Sequence, residues 1–305
     1  MKKISILLPA LLLAASFTSC SLFDNQRTPQ GYTRHCVRLL DSQALYADTP
    51  EWGAAKAELL AAAKGFTTMD EAHAAIHEAA KVAGGKHSSL TEPVRDTSTY
   101  VEVAPEVNVL EQNILHIVLP AHSGVKVGDS LYVHSVLDFL REHADAAGVI
   151  LDLRHNNGGN MYPMIAAVSP LLPDGIVLSF KSRQRTMPVS LDYIRRDQGL
   201  SPEGDSFPAS TPVAILTDEW TASSGEATLL CFRGLDNVRT FGVPTAGYAS
   251  ANVPYTLTDG YRLVITTSCD KARTGEVFCD DPIAPDVETD TPLEDAVCWI
   301  DTSQR

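Results

Sequence analysis

Two turns in the sequence place reactive side chains where an apolar run hands over to a helical pattern. The first reads Asp152-Leu153-Arg154-His155-Asn156-Asn157-Gly158-Gly159-Asn160-Met161. Paired glycines let backbone N–H groups approach a ligand without a Cβ clash, which is what an anion or oxyanion site needs. A Gly-Gly turn by itself is more often only a tight connection. The second reads Leu216-Thr217-Asp218-Glu219-Trp220-Thr221-Ala222-Ser223-Ser224-Gly225-Glu226. A serine at a helix start is usually an N-cap. As a nucleophile, Ser223 would place its developing negative charge at the positive end of the helix, with the Ser224 N–H on the same side. A serine hydroxyl is unreactive at neutral pH and needs a base. Of nine histidines, His87 in Gly84-Gly85-Lys86-His87 and His155 in the Gly-Gly loop are the candidates. Lysine is scarce here, since only Lys271 follows Ser223. His73 and His77 have metal-ligand spacing on one helix face, but Ala74 leaves no Glu for an HExxH site, so a solvated face is the simpler reading.

The surrounding pattern supplies the elements that position these turns. Apolar residues recur at helical spacing over residues 33–47. Thr49-Pro50-Glu51 is a helix start, with Thr as N-cap and Pro at N1, and that helix runs to Gly65. Thr68-Met69-Asp70-Glu71 is a capping box opening a third helix that ends at Gly84-Gly85. Beyond residue 90 the character changes. Residues 113–119 and 148–153 read as strands, the latter as a buried parallel strand. Residues 128–144, 161–172 and 223–233 read as helices. Residues 176–180, 213–216, 238–241 and 263–267 read as further strands. Such alternation predicts an α/β layer structure with ligands at the carboxyl ends of the strands.

The chain has 305 residues, enough for roughly two domains, and 24 Lys+Arg against 38 Asp+Glu give a formal charge of -14. That balance argues against a nucleic-acid partner and is compatible with cationic ones. Lys2 and Lys3 precede an apolar stretch, residues 4–15, that is short for a final membrane helix. Ser16-Phe17-Thr18-Ser19-Cys20 follows. Small residues before a Cys resemble a bacterial lipoprotein cleavage site. The expectation is a leader over 1–19, a lipidated Cys20, a polar tether over 20–32 and an envelope location. A plain secretory signal cut nearby is the alternative. Export means an oxidising setting. Cys269 and Cys279 flank a polar stretch with Gly275 and either staple a hairpin or remain buried and reduced.

At this point a resemblance becomes specific. Asp152-Leu153-Arg154 with Gly158-Gly159-Asn160-Met161-Tyr162-Pro163-Met164 resembles the core motif of the tail-specific, C-terminal processing serine peptidases. Thr221-Ala222-Ser223-Ser224-Gly225-Glu226 resembles their nucleophile turn. Phe241-Gly242-Val243-Pro244-Thr245-Ala246-Gly247 and Pro282-Ile283-Ala284-Pro285-Asp286 resemble the segments that follow, and Gly85-Lys86-His87-Ser88 the Gly-x-His-Ser/Thr element of members that use His. The processing peptidases proper carry a Lys just after the Gly247 position, where Tyr248 stands here. About 60 residues separate His87 from the strand at Gly148, too few for an inserted PDZ module. Both features resemble the Ser–His branch, which includes the tricorn core and the nisin-resistance proteins.

The resemblance implies an α/β (α+β) fold: a small N-terminal helical bundle over 33–90, then a ClpP/crotonase-like α/β peptidase core with a β-rich cap over 91–300. It implies a serine endopeptidase acting on peptides or protein C-terminal tails, with neither metal nor organic cofactor. Ser223 would be the nucleophile and His87 the base, working at a pKa of roughly 6–7. Ser224 with Gly158 or Gly159 would form the oxyanion hole, and Asn160, Met161 and Tyr162 would line a groove without charge. Asp280 and Asp281 are candidates to orient His87; two exposed loop acids are the alternative. A peptide-sequestering surface lipoprotein that does not turn over is the rival function.

Overall fold

The computed structural model describes residues 25–93, 103–123, 126–201 and 206–303. The expected leader, Cys20 and residues 21–24 of the expected tether lie outside the described residues. In chain order the elements are α1 (Pro29–Gln43), α2 (Pro50–Ala62), α3 (Met69–Gly84), β1 (Ser89–Thr91), β2 (Glu106–Val109), β3 (Ile114–Val118), α4 (Lys126–Glu142), β4 (Gly148–Asp152), α5 (Met161–Ala167), β5 (Ile176–Ser182), β6 (Thr186–Ser190), α6 (Leu191–Asp197), β7 (Val213–Thr217), α7 (Ser224–Phe232), β8 (Val238–Gly242), β9 (Ser250–Thr256), β10 (Arg262–Ala272), β11 (Val277–Phe278), β12 (Val287–Glu288) and α8 (Pro292–Ser303).

One sheet runs β12-β8-β7-β4-β3-β2, parallel except for β2 at its edge. Strand side chains alternate between faces, and both faces are covered. Leu115 and Ile117 of β3, Val149 and Leu151 of β4, and Val213 and Ile215 of β7 point into a core shared with α4, α5 and α7. Ile114, Ile150, Ala214 and Leu216, one residue out of phase, meet Ala296 and Ile300 of α8 on the other face. Burial on both sides explains the uninterrupted apolar runs of these strands. The helix α8 is absent from the sequence reading, although Leu293, Ala296, Val297 and Ile300 keep helical spacing.

The second sheet is antiparallel and built around the eleven-residue β10, ordered β1-β10-β5-β6 with β9 and β11 also paired to β10. Leu263 and Ile265 of β10 face the helical front, packing on Leu40, Trp52 and Ile76. An irregularity in the β9 register falls between Thr266 and Ser268, and beyond it Ala272 belongs to the main core. One strand thus joins two cores. Helix α1 begins at Pro29, earlier than expected, because Thr28 accepts from the Gly31 N–H and Pro29 occupies N1, the same start signal seen at Thr49-Pro50. The capping box at Thr68 and Glu71 forms as read. His73 and His77 do not sit on a solvated face. His73 Nε2 is 2.8 Å from Asp259 and its ring stacks on Tyr261, while His77 Nδ1 lies 3.2 Å from the Leu90 carbonyl. Among the described residues no group of side chains has a metal-binding arrangement.

The two-sided burial of β4 leads to a stability prediction. Ile150→Ala should cost about 2–5 kcal/mol by leaving a cavity between β4 and α8, while Leu131→Ala, at a site 66% exposed, should change stability by less than about 0.5 kcal/mol. Urea denaturation of the two variants checks this, and similar midpoints would refute the role given to α8.

Candidate active site

The carboxyl ends of β4 and β7 lie side by side in parallel register, Asp152 opposite Leu216, so the loops that leave them must share space. Their hydrogen bonds interlock. The Ala222 N–H donates to the Asn156 carbonyl at 2.9 Å. Buried Asn156 spends its amide on the Leu119 and Pro120 carbonyls and its Oδ1 on the Gly158 N–H. Asp218 accepts from the backbone N–H groups of His155, Trp220 and Thr221, and the Thr221 hydroxyl donates to the Leu153 carbonyl at 2.8 Å. Ser224 Oγ donates to the Gly159 carbonyl at 2.7 Å.

This bracing holds Ser223 in a conformation few non-glycine residues adopt, φ 52° and ψ −115°. Such strain costs on the order of 1–3 kcal/mol and persists only where surroundings over-determine it. A serine on a sharp strand-to-helix turn stands clear of the backbone at the helix N-terminus, the geometry of a nucleophile elbow. The glycines opposite are needed for clearance. A Cβ on Gly158, φ 107°, would lie 2.7 Å from Ser223 Cβ, and one on Gly159, φ 113°, would run into the His122 carbonyl. The two glycines are not equivalent. The Gly158 N–H is taken by Asn156, whereas among the described residues the N–H groups of Gly159 and Ser224 meet no acceptor. Those two donors are available to an oxyanion.

Ser223, Ser224, Gly159, Asn160, Met161 and Tyr162 line one cavity. Asn160 also caps α5, its Oδ1 accepting from the Tyr162 N–H. The same cavity is lined by Phe180, Ser250 and Asp270, for which the sequence reading had no signal. Asp270 places an ionisable carboxyl in a groove expected to be uncharged.

His87 reaches this region through Ser250. Its Nδ1 lies 2.9 Å from Ser250 Oγ, and its ring packs edge-on against Tyr248 at 5.1 Å between centroids. The turn that presents it begins at Gly85, φ 85°, where a side chain would strike the Asp280 carboxylate. Asp280 accepts a hydrogen bond from the Tyr46 hydroxyl. Among the described residues neither Asp280 nor Asp281 is hydrogen-bonded to His87, whose Nδ1 meets Ser250 instead. His155 stands apart, 80% exposed and paired with Asp218 at 3.0 Å. Burial, reinforced by the Lys86 charge, pulls the His87 pKa down from its ordinary value to about 4, lower than the sequence-based expectation of 6–7.

Against the serine turn lies Glu226, three residues after Ser223. It is fully buried and accepts from the N–H groups of Ser223, Gly247 and Tyr248 and from the Thr245 hydroxyl. Burial pushes its carboxyl above the usual range, against the pull of those hydrogen bonds. The Sγ atoms of Cys269, next to Asp270 in β10, and Cys279 are bonded, with Cα atoms 4.7 Å apart, and Cys36, Cys231 and Cys298 are free.

The glycine geometry yields a prediction. Gly158→Ala should abolish peptide hydrolysis and lower the unfolding free energy by about 1–3 kcal/mol, since the new Cβ meets the serine turn at a strained φ. Hydrolysis of a fluorogenic peptide with a parallel thermal melt tests it, and a fully active, equally stable variant would discard this account of the turn.

Comparisons with known proteins agree with the geometry. The model of Peptidase family S41 matches residues 114–289. The nisin-resistance protein of Lactococcus lactis subsp. lactis is 34% identical over 283 residues, covering 90% of this chain and 87% of that protein. The solved structure of a lipoprotein from Streptococcus agalactiae superposes with a TM-score of 0.82 at 30% identity, covering 90% of this chain and 97% of the other. The photosystem II D1 C-terminal processing protease shares the fold, with a TM-score of 0.61 at 14% identity over 89% of this chain and 96% of that one. The chain belongs to peptidase family S41, and it is a serine-type peptidase.

Proposed function

We propose that Ser223 and His87 form the catalytic pair of an endopeptidase that cuts peptides toward their C-terminal part. The observation that carries this is the strained Ser223 at a cavity wall, beside two backbone N–H groups without acceptors. With Nδ1–H donating to Ser250 Oγ, the His87 Nε2 lone pair takes the Ser223 hydroxyl proton as Oγ attacks the scissile carbonyl. The N–H groups of Ser224 and Gly159 hold the oxyanion. The C–N bond breaks as His87 returns the proton to the leaving amine, leaving an acyl-Ser223 ester. Water, deprotonated by the same His87, then releases the acid and restores the serine.

A base works only when unprotonated. Because the His87 pKa is depressed to about 4, activity in the free enzyme should be retained as pH falls from 7 and lost only below about pH 5. The kcat/KM profile reads this directly. An acid limb at pH 6–7 would contradict the buried histidine. His87→Ala should lower kcat on the order of 10³-fold or more, and His155→Ala far less. Fluorophosphonate labelling of the purified protein, absent in Ser223→Ala, tests the nucleophile; labelling that persists in that variant would move the nucleophile elsewhere.

The relatives support an envelope protein. We read Cys20 as lipidated and the chain as surface-anchored, so Cys20→Ser should leave the detergent phase in phase partition. An acidic protein with -14 formal charge draws cationic peptides by long-range attraction, and the similarity to a nisin-resistance protein supports cationic antimicrobial peptides as substrates. Cleavage of protein tails regardless of charge is the competing idea. Steered capture weakens above roughly 0.15 M salt, where the Debye length falls below about 8 Å. A cationic and a neutral peptide with one cleavage sequence should therefore differ in kcat/KM at low salt and converge at high salt, and equal values throughout would favour tail cleavage.

A further inference from the structure

The cavity beside Ser223 has a volume of about 350 Å³ and walls of divided chemistry. Met161, Phe180 and Ala227 make part of it apolar, and Asp270 is the one carboxyl in its lining. Asp270 is 2% exposed, and its Oδ1 is buried without a hydrogen-bond partner. Its backbone is fixed, with the N–H donating to the Ala249 carbonyl at 3.0 Å and the strand paired to Phe180. The nearby ionisable groups do not satisfy it. Burial raises its pKa well above the usual carboxylate range, and the nearby Glu226 adds to that rise. Arg273, beyond it on the chain, donates to the Cys231 carbonyl at 2.9 Å. Lys271 is its strand neighbour and so projects to the opposite face.

Buried carboxyls are almost always hydrogen-bonded, and one left without donors is costly. The cavity that Asp270 shares with Ser223 gives an occupant a route to supply those donors. An occupant meets both apolar walls and the carboxyl, since Phe180 is the cross-strand partner of Asp270. A long aliphatic stem with a cationic head satisfies both, the stem against Phe180 and Met161 and the head on Asp270. We propose that Asp270 marks a side-chain pocket that selects a lysine or arginine of the substrate at the residue whose carbonyl Ser223 attacks. This rests on the peptidase reading above and refines it, because it adds a short-range contact to the long-range attraction of an acidic surface. The two are separable: attraction by net charge is screened by salt, whereas a buried pair is screened much less.

The test uses two peptides identical except for lysine or norleucine immediately before the scissile bond. In 0.5 M salt the wild-type kcat/KM ratio should favour lysine by about tenfold or more, and in Asp270→Asn it should fall toward one. Benzamidine, an aryl cation, should bind the wild type by calorimetry, with binding at least tenfold weaker in Asp270→Asn and absent for uncharged benzamide. If Asp270→Asn does not fold, the wild type alone decides, through competition of benzamidine but not benzamide against the lysine peptide. A ratio near one in the wild type, a ratio unchanged by Asp270→Asn, or indifference to benzamidine would overturn the pocket. Benzamidine binding needs no turnover. A protein that binds it through Asp270 yet resists fluorophosphonate would show a wrong Ser223 assignment with the pocket intact.

Discussion

The buried carboxylate of Glu226 is the contact on which the site depends. It receives the Ser223 N–H from one side and the N–H groups of Gly247 and Tyr248 from the other, with the Thr245 hydroxyl closing the set. Each donor belongs to a segment that would otherwise leave a buried polar group unpaired, and a fully satisfied network of this kind is rigid. Its consequence reaches the histidine, because Tyr248, placed by its N–H on Glu226, presents its ring to His87. The Ser223 turn and the histidine thus both take their positions from one buried acid. Thr245 extends the chain further, accepting from the Ile283 N–H at 2.9 Å, so the segment after β11 is tied to the same point.

A second set of constraints comes from backbone proximity. The β4 and β7 loops lie close enough that Gly158 admits no side chain against Ser223, and Asn156 fills the space between the loops with hydrogen bonds instead of bulk. One result is the asymmetry of the glycine pair: Asn156 occupies the Gly158 donor and leaves that of Gly159 open. The same residue ties this loop to the segment after β3, its amide donating to the Leu119 and Pro120 carbonyls. Preorganisation of this kind is what lets backbone donors stabilise developing charge without reorganising during reaction.

The long strand β10 connects the site to the rest of the molecule. At one end Leu263 and Ile265 bury the helical front, and at the other Asp270 enters the cavity wall and Ala272 the main core. The Cys269–Cys279 bond ties that end of the strand to the loop carrying Asp280, which packs on Gly85 beside His87. The histidine, although it follows a helix of the N-terminal region, is therefore positioned by residues more than 150 positions later in the chain, Tyr248 and Ser250.

Local chemistry made much of this legible from the residues alone. Caps such as Thr49-Pro50 and Thr68–Glu71, the apolar runs of β3, β4 and β7, and the glycine and serine turns act within a few positions, so their spacing is written in the chain. The helix α8 carries the same kind of signal in Leu293, Ala296, Val297 and Ile300, as does the Thr28-Pro29 start of α1. What only the tertiary structure decided is which distant groups meet: Ser250 rather than Asp280 or Asp281 against His87, Glu226 as the hub, Gly159 rather than Gly158 as the free donor, and Asp270 in the groove. None of these follows from residue type or spacing, because each depends on burial and on partners from other strands, and those set whether a carboxyl is a solvated loop acid or an unpaired wall of a cavity.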